Sequence, residues 1–263
     1  MRSARMTIWV IVVVLVATGV SKADLVGYTA TNTSNSVVYL TNFDTGEQTP
    51  LGPSGISHLS AFDISPVDGY IYGIDIDFSA SEPDFYRIST DNGVGTLIKS
   101  NALDPTIWGA KRNLAFSSDG ILYGIVGSDF FTINTLTGDT SIIGSLNPYI
   151  DTHAFAIDSE GKGVSWDSGA NWLFEIDLTD GTTTSLGYLD ADFDAFDYGP
   201  DGILYGWAGN QLFSIDVDTV SSTYLRSFSI SGDSLTVVPE PATLLLLGLG
   251  TLFFRKTGRA FTS

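Results

Sequence analysis

The chain has 263 residues, 43% of them hydrophobic and 12% aromatic, so it can bury a large core and is not disordered as a whole. It contains no cysteine, which excludes disulfides, thiolate nucleophiles and cysteine-ligated zinc. Six of the 12 basic residues and one of the 30 acidic residues lie in segments 1–23 and 239–263, so residues 24–238 carry 29 acids, six bases and a net charge of −23. A body this acidic repels nucleic acid, which is therefore not expected as a partner.

The N-terminal segment has the three parts of a secretory signal peptide. Two arginines within the first five residues precede an apolar run over residues 8–16, and small residues stand at the third and first positions before Asp24. This pattern predicts export, with residues 1–23 as the signal peptide and cleavage after Ala23 by signal peptidase. The alternative is a permanent N-terminal membrane anchor, for which the apolar run is short.

Residues 24–238 are organised by a repeat. The segments LAFSSDGILYG from Leu114, FAIDSEGKGVS from Phe155 and FDYGPDGILYG from Phe196 align without a gap, and FDISPVDGYIYG from Phe62 aligns with one inserted residue. Each contains two β runs joined by a turn on Asp-Gly or Glu-Gly, which predicts a hairpin. A second pair of strands follows each hairpin, as in LFEIDLTDGTTTSLG from Leu173. Each unit therefore has four strands.

The spacing of the units predicts a β-propeller. The second strands of four units are centred on Tyr72, Tyr123, Val164 and Tyr205, which are 51, 41 and 41 residues apart, the period of four-stranded blades. No stretch of the body shows helical periodicity, which argues against an α/β fold. The pattern resembles the broad group of secreted propeller proteins with LAFSPDG, LYG, LYxID and TG blade motifs, and this resemblance concerns fold rather than activity. Two packed β-sandwiches are the alternative.

The first unit lacks an inner strand, and the end of the body supplies one. LVGY from Leu25 matches LYGI from Leu122, and an outer pair follows from Val37, but nothing upstream offers the inner strand. LTVVPE from Leu235 matches the inner-strand segment LAFSSD. The sequence therefore predicts an all-β, five-bladed propeller of 20 strands over residues 24–238, closed by a C-terminal strand that leaves no open sheet edge in the ring.

The C-terminal segment 239–263 combines a Pro-Glu-Pro triplet, an uncharged run over residues 242–254 and a basic cluster. A helix over the uncharged run is about 20 Å long against a hydrocarbon core of about 30 Å, so it spans a membrane only with snorkelling basic residues at its end. The basic cluster keeps the extreme C-terminus cytoplasmic, and the body then lies outside. The residues that carry this signal are Pro239, Glu240, Pro241, Arg255 and Lys256.

These three features in this order resemble the PEP-CTERM sorting signal of exported Gram-negative proteins, over about the last 25 residues. The resemblance implies a transient membrane anchor that an exosortase recognises and cleaves, after which the protein resides at the cell surface or outside the cell. It also implies association with exopolysaccharide and biofilm matrix, so that polysaccharide or another surface protein is the expected partner. The alternative is an ordinary tail anchor.

One face of the predicted ring is formed by loops that enter the inner strands and loops that join second and third strands. Residues two positions before the first apolar residue of each inner strand are equivalent by the repeat, and together they could form a polar site around the axis. Two loop tryptophans could stack on sugar rings. The alternatives are hydrogen bonds to neighbouring backbone and capping of blade edges. The possible ligand face consists of Trp108, Arg112, His153, Trp172, Asp194 and Asp233.

The sequence shows no catalytic constellation. His58 and His153 are its only histidines and are not equivalent in the repeat, and no Gly-x-Ser-x-Gly elbow is present, so we predict that the protein is not an enzyme. The alternative is a metal-dependent propeller enzyme of the lyase or lactonase type. No cofactor is expected, and the better candidate site for Ca²⁺ is an acidic cluster that lacks the glycine and terminal glutamate of an EF-hand loop. The cluster is Asp190, Asp192 and Asp194.

Overall fold

The computed structural model describes residues 24–75, 83–103, 112–232 and 234–238. Every helix or strand assigned within these ranges is a β-strand, and none of them is a helix that could cross a membrane. In chain order the strands are β1 (Val26–Ala30), β2 (Val37–Asn42), β3 (Gln48–Pro53), β4 (Leu59–Ile64), β5 (Ile71–Asp75), β6 (Phe85–Ile88), β7 (Gly95–Lys99), β8 (Arg112–Phe116), β9 (Leu122–Val126), β10 (Asp129–Ile133), β11 (Thr140–Ser145), β12 (Thr152–Ile157), β13 (Gly163–Asp167), β14 (Trp172–Ile176), β15 (Thr183–Tyr188), β16 (Ala195–Tyr198), β17 (Leu204–Ala208), β18 (Gln211–Asp216), β19 (Ser221–Ser227) and β20 (Ser234–Val238).

Several predictions concern residues outside the described ranges. These are the signal peptide 1–23, the sorting segment 239–263 with its helix 242–254, and the ligand-face residues Trp108 and Asp233. The side chain of Arg112, which opens β8, is likewise outside the description. Those structural details stay predictions.

The strands form five four-stranded antiparallel sheets, which confirms the predicted five blades and 20 strands. Blade 1 has the order β20-β1-β2-β3, and blades 2 to 5 are β4–β7, β8–β11, β12–β15 and β16–β19. The inner strands β20, β4, β8, β12 and β16 contact one another in that order, and β16 contacts β20. The ring is therefore closed by the C-terminal strand, as predicted, and the two-sandwich alternative is wrong.

The alignment of the first unit needs one correction. Thr236 pairs with Tyr28, just as its repeat equivalent Ala115 pairs with Tyr123. Tyr28 therefore occupies the tyrosine position of the repeat, and the predicted match of LVGY with LYGI is wrong by two residues. A shift of two residues keeps each side chain on the same side of a strand, so the hydrophobic pattern could not detect it.

The inner hairpins turn on glycines in the left-handed region. Gly120 and Gly202 have φ of +87° and +78° and follow Asp119 and Asp201, as the Asp-Gly turns predicted. We call the face with these turns the lower face, and the opposite face the upper face. Each inner strand runs from the upper to the lower face. The closing strand therefore ends on the lower face at Val238, which pairs with Val26 near the start of the described chain.

The core is divided into five clusters of buried residues, one in each seam between neighbouring blades. Trp166 and Trp207 occupy equivalent positions in blades 4 and 5 and are completely buried in the blade core. In the closing seam Phe228 of blade 5 packs edge-on against Phe43 of blade 1, with ring centroids 6.0 Å apart. Apolar packing between blades therefore continues around the whole ring.

The outermost strand pair of each blade contains a β-bulge at the same repeat position. The extra residue is aliphatic in all five blades, and in blades 1 to 4 it packs half-buried against a seam cluster. Its counterpart in blade 5 is 44% exposed. Bulges twist exposed sheet edges and reduce edge-to-edge pairing. The bulged residues are Leu51, Ile98, Ile143, Leu186 and Leu225.

Candidate functional site

Three of the predicted ligand-face residues lie on the upper face within the described chain. Trp172 begins β14 and is 40% exposed, so its ring is available to a ligand. The ring of His153 packs edge-on against Trp166, with centroids 5.8 Å apart. Asp194 accepts a hydrogen bond from the backbone N–H of Gly209 at 2.8 Å, which matches the backbone-bonding alternative for this position.

Two buried polar atoms beside His153 have no hydrogen-bond partner within the described chain: Trp166 Nε1 and Thr152 Oγ1. The equivalent tryptophan in blade 5, Trp207, donates its Nε1–H to the carbonyl oxygen of Gly209 at 2.8 Å. Leaving a buried donor unpaired costs about 1–3 kcal/mol. Within the described residues, buried polar atoms at the upper end of blade 4 therefore have fewer hydrogen-bond partners than the equivalent tryptophan of blade 5.

The axis of the ring is closed by inner-strand side chains. The cavity between the inner strands has a volume of only about 20 Å³ and is lined largely by apolar residues, among them Phe62, Leu114, Phe155, Phe196 and Leu235. That space is about the size of one water molecule. The equivalent upper-face residues therefore do not surround an open axial channel in the described structure.

The acidic side chains that were the candidate Ca²⁺ ligands bind different groups of the protein. Asp190 Oδ1 accepts a hydrogen bond from the Tyr188 hydroxyl at 3.3 Å, and Asp194 binds the Gly209 amide. In the ranges that the structure describes, no three Asp, Glu or His side chains are grouped to hold a metal ion. Six to eight oxygen ligands are the usual requirement of Ca²⁺, so further ligands would be needed there.

A buried cluster that the sequence analysis missed joins three inner strands. Thr236 Oγ1 of β20 lies 2.8 Å from Asp63 Oδ1 of β4 and 3.0 Å from Asp197 Oδ2 of β16. Asp197 Oδ2 also accepts the backbone N–H of Val237 at 2.6 Å. Asp63 Oδ2 accepts the backbone N–H of Phe116 in β8 at 2.7 Å. The two carboxylates thus hold the closing strand from both sides and tie blade 2 to blade 3.

Burial raises the pKa of Asp63 to about 6, against hydrogen bonds from Phe116, Thr236 and Ile64 that lower it. Burial also raises the pKa of Asp197 well above its ordinary value, and the charge of Asp63 raises it further. Two like carboxyls in one buried site titrate as a pair. The sequence signal was present but weak: the five equivalent inner-strand positions hold Asp63, Ala115, Ala156, Asp197 and Thr236.

A second cleft, which we call the upper cleft, lies on the upper face where blades 1 and 5 meet. Its volume is about 670 Å³, and its described lining includes Asn32, Tyr39, His58 and Ser229. None of the described lining residues is Asp, Glu, Lys or Arg. A ring nitrogen of His58 lies 3.0 Å from the Asn32 side-chain oxygen, and its backbone has φ +53°. A left-handed histidine is uncommon, and such positions cluster at functional sites.

The lower face carries a larger cleft of opposite character. It has a volume of about 1180 Å³ between blades 4 and 5. Its described lining contains six carboxylates and one lysine, so this part of the surface repels anions. The charged lining residues are Asp158, Glu160, Lys162, Glu175, Asp201, Asp216 and Asp218.

These features define a five-bladed β-propeller whose closing strand leads directly into the C-terminal segment. Residues 237–259 match the PEP-CTERM protein-sorting motif, and the sorting residues proposed from the sequence lie within this match. The match begins at Val237, inside β20. The protein is therefore a propeller that carries a PEP-CTERM sorting motif. The motif indicates export, sorting to the cell surface of a Gram-negative bacterium and processing by an exosortase.

Solved structures show the same fold at low sequence identity. TolB from Acinetobacter baumannii is 16% identical with a TM-score of 0.52, over 79% of this chain and 54% of TolB, so the chain spans about half of TolB. A chain of a nidogen/laminin complex is 12% identical with a TM-score of 0.57, over 81% of this chain and 98% of its own length. No curated protein matches the chain by sequence. These similarities concern the fold alone.

Proposed function

We propose that the protein is a non-enzymatic binding or structural component of the extracellular matrix, associated with exopolysaccharide or with another surface protein. The PEP-CTERM motif supports sorting to the cell surface. The propeller supports a binding role because its loops form a broad rigid surface. An exosortase then separates the propeller from its membrane anchor. Calcium binding at Asp190, Asp192 and Asp194 stays a prediction.

The observation that carries this proposal is the path of the closing strand. β20 crosses the ring from the upper to the lower face, and the sorting motif begins at Val237 near its lower end. A membrane anchor that follows β20 therefore leaves the body from the lower face. The upper face, with the upper cleft and Trp172, would then point away from the membrane.

The chemistry of the upper cleft favours a neutral polysaccharide as the ligand. Amide, hydroxyl and imidazole groups line it, with the Tyr39 ring among them, and these groups hydrogen-bond and stack on sugars. The net charge of −23 on residues 24–238 works against acidic polymers. The 20 Å³ axial cavity supports a binding role over a metal-dependent lyase or lactonase, which would need room for an ion and a substrate.

Sorting to the cell surface is tested by changing Pro239-Glu240-Pro241 to Ala-Ala-Ala and following the protein in cell fractions. The prolines restrict their neighbours to extended conformations, so the triplet keeps the linker non-helical and accessible. We expect a folded, uncleaved protein in the membrane fraction. Asp192→Asn, an exposed change on the body, should be processed normally. Release of the triple variant like the parent would rule out this sorting mechanism.

The binding role is tested with the processed protein on an array of neutral and acidic polysaccharides. We expect binding to a neutral polymer that falls at least about tenfold, or 1.4 kcal/mol, in Tyr39→Leu or in Trp172→Ala. Glu160→Gln, an exposed change on the lower face, is the control. Absence of binding to every polymer would contradict a polysaccharide ligand, and unchanged binding in both variants would place the site away from the upper face.

A further inference from the structure

The axial cluster has more acceptors than hydrogens. The Thr236 hydroxyl carries one hydrogen, yet carboxyl oxygens of Asp63 and Asp197 lie 2.8 Å and 3.0 Å from its oxygen. The hydroxyl can donate to only one of them. At the other, an ionised oxygen would face the hydroxyl lone pairs, whereas a protonated carboxyl donates a hydrogen bond to Thr236. Both contacts are satisfied only when the two aspartates share one proton.

This arrangement occurs only around the closing strand. At the equivalent positions of blades 3 and 4 the inner strands carry Ala115 and Ala156, which form no polar contact. In blades 2 to 5 the inner strand is joined to the preceding blade by the chain. In blade 1, β20 enters from the far end of the body and is followed by the sorting motif.

We propose that Asp63, Thr236 and Asp197 form a proton-controlled latch that holds β20, and with it the first residue of the sorting motif, in the ring. With one shared proton every contact is a hydrogen bond. When that proton leaves, two like charges face one hydroxyl, and the strand between them loosens. Val237 is the motif residue affected, because its amide is bound to Asp197. The inference does not depend on which ligand the upper face binds.

No described cation offsets the pair. The residues that pair with the three latch residues are Tyr28, Tyr72 and Tyr205. The hydroxyls of Tyr72 and Tyr205 donate hydrogen bonds to Asp68 and Asp201 near the lower face, and Tyr28 is hydrogen-bonded to Thr90.

The strands adjacent to the cluster carry two further titratable groups. His153 of β12 packs against Trp166, and Asp75 of β5 accepts a hydrogen bond from the Asp84 amide. The strand β20 has no titratable side chain, and Arg112 of β8 is undescribed.

The sign of the pH dependence follows from the raised pKa values. An aspartate in an unfolded chain has a pKa of about 3.9, whereas burial raises that of Asp63 to about 6 and that of Asp197 well above its usual value. Protonation therefore favours the closed ring. The stabilisation is complete below about pH 4 and is lost as the pH rises through about 6 and above. Repulsion among the surface carboxylates also lowers stability as the pH rises. The test must therefore separate the effect of the buried pair on β20 from the effect of surface charge on the whole propeller.

The test is hydrogen exchange of the intact protein in detergent micelles between pH 5 and pH 8, expressed as protection relative to intrinsic rates. Peptides that contain β20 are compared with peptides from the β12–β13 hairpin of blade 4. We expect β20 to lose protection relative to the hairpin by up to about tenfold per pH unit, since one proton is released on opening. Thr236→Ser, which keeps a hydroxyl, should behave like the parent.

Asp197→Asn and Asp63→Asn are the decisive variants, because either leaves a single carboxylate that can accept the hydroxyl without a shared proton. We expect the pH dependence of the ratio of β20 to hairpin protection to weaken in both, because the second charge is gone while the remaining carboxyl stays buried. Asp192→Asn removes one exposed surface charge and should retain the parent's dependence. Parallel loss of protection in β20 and the hairpin of the parent would overturn the latch, even if a variant failed to fold. Parent-like pH dependence in both asparagine variants would also overturn it.

Discussion

Blade 1 and the other four blades have the same strand order but are held together differently. Blades 2 to 5 are continuous stretches of chain, whereas blade 1 combines three strands from the start of the body with β20 from its end. At the outer rim of the closing seam, the Arg226 guanidinium donates to the carbonyl oxygens of Asp44 and Thr45. The Gln48 side-chain oxygen accepts hydrogen bonds from Ser229 and Ile230 at 3.1 Å each.

The difference shows where a ring of repeats needs non-repeating residues. In a continuous blade the chain itself keeps the inner strand near its neighbours, which lowers the entropy cost of pairing. The closing strand lacks that short connection, and polar contacts replace it at the axis and at the rim. The residues that depart from the repeat, Asp63, Asp197, Thr236 and Arg226, act on the closing blade.

Deleting Ser234–Val238 should have the largest effect, because blade 1 loses its inner strand and the ring opens two sheet edges. We expect loss of most of the folding free energy, which is about 5–15 kcal/mol for a domain, and loss of the cooperative thermal transition in circular dichroism. Deleting only residues 239–263 is the control and should leave the melting temperature unchanged. A deletion protein that melts like the parent would show that β20 does not close the ring.

Gly27→Ala should be the most damaging of the point changes in blade 1. A Cβ at Gly27 would overlap the carbonyl oxygen of Thr236 in β20 and the Phe43 ring. Gly163 occupies the equivalent position in blade 4, and its added Cβ would meet atoms at 3.0–3.1 Å. Overpacking costs about 1–3 kcal/mol, so we expect about 3 kcal/mol for Gly27→Ala and about 1 kcal/mol for Gly163→Ala in urea unfolding. Equal losses would mean that the closing blade is no more sensitive than blade 4.

Arg226→Ala and Lys99→Ala compare equivalent rim positions in the closing seam and in the seam between blades 2 and 3. Arg226 binds two backbone carbonyls, whereas Lys99 forms an exposed ion pair with Asp139 at 2.7 Å. We expect a loss of about 1–2 kcal/mol for Arg226→Ala and of less than about 1 kcal/mol for Lys99→Ala. Chemical denaturation measures both. A larger loss of unfolding free energy in Lys99→Ala than in Arg226→Ala would contradict the expectation that rim contacts contribute more in the closing seam.

Val220→Gly should have the smallest effect and the opposite sign. Val220 has φ +49° in the outer turn of blade 5, where the other blades have Gly46, Gly93, Gly138 and Gly181 at φ of +72° to +83°. A valine in the left-handed region costs about 1–2 kcal/mol of folding free energy. Replacing it by glycine removes this cost, but the greater backbone entropy of glycine in the unfolded chain offsets about 0.5–1 kcal/mol of the gain. We expect a gain of about 0.5 kcal/mol, with Thr219→Gly as a control that should not stabilise. Destabilisation by Val220→Gly would show that its packing on Gly187 outweighs the strain.

The repeat made the architecture predictable because each blade repeats the same local pattern. Hairpin turns such as Asp119-Gly120 and the inner-strand motif at Leu235 depend on neighbouring residues, and both were correct. The register of β1 was predicted wrongly by two residues, because Val26 and Tyr28 lie on the same side of the strand and fit the hydrophobic pattern equally well. The bulges likewise arise from pairing between strands and leave no local signal.

The axial cluster was missed for a related reason. Asp63, Asp197 and Thr236 lie far apart in sequence, and their equivalent position in the repeat holds Asp, Ala or Thr in different units. Only the circular order of the blades makes them neighbours. Aligning that position across all five units and asking which polar residues become adjacent after closure would have found them. The ligand face was harder still, because loop conformations such as the left-handed backbone of His58 follow from tertiary contacts.

Closure by β20 is tested most directly by a disulfide between its end and β1. The chain has no cysteine, so Val26→Cys with Val238→Cys introduces a single pair. These residues face each other in an antiparallel ladder, where Cα atoms lie about 4.5–5.5 Å apart, within the range of a disulfide. We expect rapid intramolecular cross-linking under mild oxidation, and none when Val238→Cys is combined with Val164→Cys in blade 4. Failure of the first pair to cross-link in folded protein would contradict closure of the ring by the C-terminal strand.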